Sequence, residues 1–255
     1  PLLSNVLYSV IRKKLMDAFG GNVSIFVVGG APMNQETESF LRKINFPLTI
    51  GYGMTECGPL ISFSPDNEFK QSSCGSYKSI QSPGNGMHLE VKIDSPDPEK
   101  IAGEILVKGE HVMLGYYKNE KDTKAVLPGD GWLHTGDMGT MDPDGTIYIR
   151  GRSKTMILTS NGQNIYPEEI ESKLNSMPHV GESLVVDRKG GLVALVALTA
   201  DDQNADKEEM AAIMEQNRVE LNRSLPAYGK IAKVEIIEGG FEHTPKQSIK
   251  RFLYN

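Results

Sequence analysis

The chain has 255 residues, enough for one large domain or two to three smaller ones, and 39% of them are apolar, so it can bury a core. A net charge of −6 with a pI near 5.5 argues against a general nucleic-acid binder, which needs clustered Lys and Arg to neutralise phosphates. Two cysteines, Cys57 and Cys74, cannot build a disulfide framework, and a reduced, cytoplasmic setting is the default expectation.

The sequence opens on Pro1 and enters at once a helix-like pattern (Val6, Val10, Ile11, Leu15, Phe19) with no basic flank before it. We read this start as an engineered or proteolytic boundary. Residues 24–28 form a short apolar run bounded by glycines, which suits a buried strand. A helix is expected over 36–44 and a second strand over 47–50. Together, residues 1–66 read as the end of an α/β layer.

Residues 67–150 change character. Alternating runs at 89–93, 103–108 and 146–149 lie between turn clusters such as Asp142-Pro143-Asp144-Gly145. Period-two alternation with frequent turns suggests a small antiparallel barrel or sandwich.

Residues 151–255 return to a mixed pattern. A strand is expected over 155–159, and a helix beginning at Pro167-Glu168-Glu169, with proline in the first turn and acids at the positive helix end. Residues 181–187 and 191–198 read as a strand pair; the second contains the longest apolar run, far too short to cross a bilayer. Asp206-Lys207-Glu208-Glu209 is a capping box opening a helix that buries Met210, Ile213, Met214 and Leu221. A last strand is expected over 232–237. The tail is a compact α+β unit of about 100 residues, large enough to fold alone.

Three segments carry chemistry. Gly51-Tyr52-Gly53-Met54-Thr55-Glu56 follows a buried strand, where α/β sheets place ligands. Its glycines allow close approach of a phosphate, a threonine hydroxyl can donate to it, and a carboxylate can hold Mg²⁺. The plain alternative is a turn with a solvated glutamate. In Trp132-Leu133-His134-Thr135-Gly136-Asp137, the carboxylate of Asp137 can accept from both hydroxyls of a ribose. His134 reads as a packed or surface histidine, and Asp142-Pro143-Asp144-Gly145 as a hairpin turn, not a metal site. Gly151-Arg152-Ser153-Lys154 stands where the pattern changes from all-β to mixed.

In this order and spacing the three segments resemble the later motifs of the adenylate-forming superfamily: acyl-CoA synthetases, luciferases and the adenylation domains of peptide synthetases. The subgroup most resembled is the long-chain fatty-acid–CoA ligases, through Gly51 to Pro59 and the end Lys250-Arg251-Phe252-Leu253-Tyr254. The implied fold is multidomain, α/β followed by α+β. The implied reaction activates a fatty acid with ATP and Mg²⁺ as an acyl-adenylate, which coenzyme A then takes up as a thioester, releasing AMP.

The resemblance also implies residue roles. Thr55 falls at the α-phosphate and Glu56 on the metal. Tyr52 and Gly53 fall beside the nucleotide, Tyr52 against the adenine face, with Gly30 and Ala31 as a small-residue turn against adenine. A glycine turn explains Gly30 nearly as well. Asp137 and Arg152 hold the ribose, and Lys154 is the hinge of a mobile C-terminal domain. Gly162 lines the pantetheine path, with a plain turn glycine as the alternative. The family's catalytic lysine aligns with Ser248 and its glycine with Gln247. Lys246, or else Lys250, is the candidate substitute, beside the alternative that no lysine here is catalytic.

The family's upstream phosphate-wrapping loop with its lysine is absent from this sequence, so the chain is expected to be inactive without the N-terminal part of the same polypeptide. Three other readings stand: a peptide-synthetase or luciferase-like adenylating enzyme, a non-catalytic AMP sensor on the same fold, or a plain interaction module that binds no adenylate. The resemblance leaves room for peripheral membrane contact by the intact enzyme.

Overall fold

The computed structural model describes residues 2–30, 33–65, 67–81, 88–159, 162–245 and 248–254. The chain divides into two compact units, residues 1–153 and 154–255.

The first unit opens with helix α1 (Leu2–Ala18), strand β1 (Phe26–Val28), helix α2 (Gln35–Lys43) and strand β2 (Leu48–Ile50). β1 and β2 run parallel, with α2 as the crossover, and Asn34 caps α2 by accepting from Thr37 N. Ile44, Phe46 and Leu48 form the core, against Tyr8, Ile11 and Leu15 of α1. Phe26 lies between Phe19 and Phe46, with ring centroids 4.9 and 5.6 Å away. Only part of the apolar pattern read in α1 turns inward. Val6, Val10 and Phe19 remain exposed while Ile11 and Leu15 pack.

Strands β3 (Tyr52–Gly53) and β4 (Leu60–Ser62) pair antiparallel around a 3₁₀ turn at Thr55–Cys57. β5 (Leu89–Asp94), β6 (Gly103–Gly109), helix α3 (Glu120–Val126), β7 (Leu133–Met141) and β8 (Ile147–Arg152) follow. The four strands form one antiparallel meander in the order β5-β6-β7-β8. Among the described residues this sheet is open: the antiparallel strands expected of a small barrel or sandwich are present, and they do not close into a barrel. Leu89, Val91, Ile93, Ile105, Val107, Leu133 and Ile147 fill its buried face. The turn at 142–145 is a hairpin, as its composition suggests: Asp142 N donates to Thr146 O and Gly145 N to Asp142 O. Lys70 Nζ pairs with both of its acids, Asp142 at 2.5 Å and Asp144 at 2.7 Å.

The second unit begins with a short antiparallel pair, β9 (Ile157–Leu158) and β10 (Asn164–Ile165). β9 is shorter than the run 155–159 suggests, pairing only at Ile157 and Leu158, and Thr155 before it donates its hydroxyl to Glu168 Oε1 at 2.6 Å. Helix α4 (Pro167–Leu174) starts at its proline, with Glu168 and Glu169 in the first turn. β11 (Val180–Arg188) and β12 (Gly191–Leu198) pair antiparallel. After α5 (Lys207–Ser224), β13 (Ile231–Ile236) joins β12 in parallel. Alternate residues of β11 and β12 enter two clusters: Val185, Ala194 and Val196 pack with α4 and α5, whereas Leu184, Val193 and Leu195 pack with Phe241. β12 is therefore covered on both faces.

Asp206 caps α5, its side chain accepting from Glu209 N at 2.9 Å. Asp206→Ala is expected to lower the stability of this unit by about 1 kcal/mol, read by urea unfolding. A loss indistinguishable from zero would mean water replaces the cap.

Candidate functional site

The 51–56 loop leaves β2 and turns back on itself as β3 and β4. A Cβ on Gly53 would lie 2.1 Å from Pro59 O and 2.9 Å from Leu60 Cα, so no larger residue fits. The hairpin itself demands glycine there. Gly58 closes the 3₁₀ turn in the left-handed region, at φ 61°.

Within the first unit the loop presents three side chains. Thr55 is exposed. Glu56 is half-buried and gripped from residues 113–116: Tyr116 OH donates to its Oε1 at 2.9 Å, and Met113 N to its carbonyl at 2.8 Å. Tyr116 carries no sequence signal that ties it to Glu56. Tyr52 is 6% exposed and packs into the core of the meander, which leaves little of its ring open to a base. Its hydroxyl donates to Asp137 Oδ2 at 2.7 Å. Burial, and after it the charge of Asp137, push the Tyr52 phenol far up, so it stays a donor.

Asp137 sits on β7, opposite Arg152 of β8. Its side chain is 7% exposed, and Arg152 Nε lies 3.1 Å from Oδ1. The structure thus brings together Tyr52, Asp137 and Arg152, residues that the sequence marks in three separate segments. Each carboxylate oxygen holds one of the two donors, and a carboxylate offers about four acceptor positions. His134 is half-buried, its ring nitrogens 2.9 Å from Glu104 Oε2 and 3.1 Å from Asp130 Oδ2. Burial pulls this imidazole down, but the two carboxylates outweigh it and the net shift is upward.

Gly30 has φ +90° and open space where a Cβ would stand. Ala31 lies outside the described residues. In the second unit, Lys154 is exposed at its first position. Gly162 has φ +77° and nothing within 4 Å of its Cβ position, so backbone conformation, not crowding, favours glycine there. Thr244 N donates to Ser248 O at 2.8 Å, and Ser248 is exposed. Lys246 and Gln247 lie outside the described residues. Lys250 Nζ is paired with Glu242 Oε2 at 3.1 Å. Arg251 forms a bidentate pair with buried Glu171 at 2.8 and 2.9 Å.

Two family models match the chain: AMP-binding enzyme over residues 3–117, and AMP-binding enzyme C-terminal domain over residues 154–254. The chain belongs to this adenylate-forming superfamily. It is similar to the long-chain-fatty-acid–CoA ligase FadD15 of Mycobacterium bovis, at 29% identity over 95% of this chain and 42% of the relative. It is also similar to 4-coumarate-CoA ligase 1 of Narcissus pseudonarcissus, at 32% identity over 74% of this chain and 35% of that one. Among solved structures, the o-succinylbenzoate CoA synthetase of Bacillus subtilis, in complex with its acyl-adenylate intermediate, matches with a TM-score of 0.71. That match is 26% identical and covers 99% of this chain and 53% of the other. The chain thus spans less than half the length of the curated relatives named here. Among the described residues no helix is long and apolar enough to cross a membrane.

Proposed function

We propose that the chain is the C-terminal portion of an AMP-forming acyl-CoA ligase whose acid is a long-chain fatty acid. In the first half-reaction a carboxylate oxygen attacks the α-phosphorus of ATP and pyrophosphate leaves. In the second the thiol sulfur of coenzyme A attacks the acyl carbon and AMP leaves. Dividing the condensation in this way replaces one difficult step with two easier ones.

The observation that carries this reading is the Tyr52–Asp137–Arg152 arrangement. It fixes a buried carboxylate, a group able to accept from both hydroxyls of a ribose. Arg152 donates to the same sugar, and Tyr52 serves the nucleotide through Asp137. Thr55 donates to the α-phosphate, with Gly53 allowing close approach and Gly30 facing adenine. Glu56 fits a magnesium ion: one half-buried carboxylate, oriented by Tyr116, is a donor set that Mg²⁺ completes with phosphate oxygens and water. When bound, that ion neutralises charge on the phosphates.

In the second unit, Lys154 is the hinge and Gly162 borders the pantetheine path. Lys246 is the preferred replacement for the family's lysine, since Lys250 is paired with Glu242. The long-chain assignment is supported by the long-chain ligase among the relatives, and the coumarate ligase marks a rival acid class.

The test is carboxylate-dependent ATP–pyrophosphate exchange by the full-length protein, offered acetate, octanoate, palmitate, an aryl acid and amino acids. Exchange with palmitate, then thioester on adding coenzyme A, is the expected result. Exchange with the aryl acid alone would move the assignment to the coumarate class. Ser248, at the position of the family's lysine, favours one second reading, a non-catalytic AMP sensor. AMP binding without exchange for any acid would select it.

A further inference from the structure

β6 and β7 do not pair evenly. Leu106 faces His134 and Glu104 faces Met138, so Ile105 alone on β6 stands against Thr135, Gly136 and Asp137 on β7. The surplus residues form a bulge, a device that re-aims a side chain and strengthens local twist. Gly136 lies in it at φ +73°. Asp137, directly after, points its carboxylate to Tyr52 and Arg152.

A bulge leaves backbone groups without ladder partners, and something must hold them. Here Glu104 Oε1 accepts from Gly136 N at 2.9 Å. Its other oxygen, Oε2, is 2.9 Å from His134 Nδ1, and the far ring nitrogen is 3.1 Å from Asp130. Thr135 Oγ1 donates to Ile105 O at 2.8 Å and accepts from Asp137 N at 3.1 Å. Gly136 O accepts from Ser153 N at 2.9 Å.

We infer that Glu104, oriented by His134, is a positioning residue: it holds the β7 bulge in the shape that aims Asp137 at Tyr52 and Arg152. The consequence for nucleotide rests on the function proposed above; the geometric consequence does not. Glu104 touches no reacting atom, and its effect passes through Gly136 to the next residue. Glutamine at 104 keeps an oxygen for Gly136 N and a donor for the imidazole. Alanine keeps neither.

The experiment uses the 255-residue chain and follows exchange of the Tyr52 hydroxyl proton, whose acceptor is Asp137, by nuclear magnetic resonance. Glu104→Ala is expected to speed that exchange about tenfold or more, the scale of one charge-assisted hydrogen bond. The amides of Val91 and Val107 should keep their protection, and Glu104→Gln should stay near wild type. Unchanged hydroxyl exchange in Glu104→Ala would overturn the inference. So would loss of Val91 and Val107 protection in parallel with no recovery in Glu104→Gln, the pattern of a residue that merely stabilises the sheet. A second arm compares AMP with 2′,3′-dideoxy-AMP as probes. Wild type is expected to prefer AMP and Glu104→Ala to lose that preference. If wild type binds both alike or neither, the ribose reading fails, while the hydroxyl arm still decides the positioning role.

Discussion

Arg251→Ala is expected to destabilise the unit of residues 154–255 by about 3–5 kcal/mol, because it strands a buried carboxylate without its cation. Glu171 is 8% exposed and its Oε1 also accepts from Val185 N at 2.6 Å. Two guanidinium nitrogens meet its two oxygens, and one of them reaches Val185 O at 3.2 Å. Burial pushes the Glu171 carboxyl up, and Arg251 is the main influence pulling it back down. Removing Arg251 lets burial act alone. A carboxylate whose folded pKa exceeds its unfolded one binds more protons when folded, so stability falls as pH rises between the two values. The Arg251→Ala deficit should therefore shrink on acidification through the carboxylate range. Denaturant unfolding at several pH values, followed by hydrogen exchange of the α5 amides, measures both effects. A deficit near zero would show the pair to be dispensable. Glu171→Gln combined with Arg251→Met should recover part of the loss, since a neutral pair of similar volume leaves no buried charge.

Asp137→Ala is expected to lower the stability of the first unit by about 2–3 kcal/mol, the scale set by leaving a buried donor unpaired after losing a charged acceptor. The donor is the Tyr52 hydroxyl, in a side chain whose surroundings admit little water. The chain's single tryptophan, Trp132, adjoins β7, so its fluorescence in denaturant reports this unit and not the other. Asp137→Asn should retain most of the stability, because its amide oxygen still accepts from Tyr52, and should weaken AMP binding through the weaker pairing with Arg152. A shift under about 0.5 kcal/mol for Asp137→Ala, ordinary for a surface change, would contradict the buried pair.

Much of the fold is legible where apolar residues alternate or caps are explicit. Leu89, Val91 and Ile93 mark β5, Pro167 marks the start of α4, and Asp206 with Glu209 marks the start of α5. β7 is not legible, for a physical reason. Its inward positions include Thr135, Asp137 and Gly139, so the residues that build the site erase the alternation that reveals a strand. The pattern in α1 overstates burial, since periodicity marks a face without saying how much of it is covered. Tyr52, Asp137 and Arg152 are each visible as motif members. The Tyr52–Asp137 hydrogen bond crosses 85 positions and has no local signature. Glu104 and Tyr116 escape for the same reason, each reaching its partner through a fold that spacing does not encode.

The tight closure at Gly53 separates two kinds of selection on one motif. A descendant chain that gave up nucleotide would still need glycine at 53, because Pro59 and Leu60 leave no room for anything else. The side chain of Thr55, exposed on the turn, would be released to drift. On the function proposed above, the threonine therefore reports retained chemistry among chains carrying this loop, whereas the architecture requires the glycine whatever the chemistry.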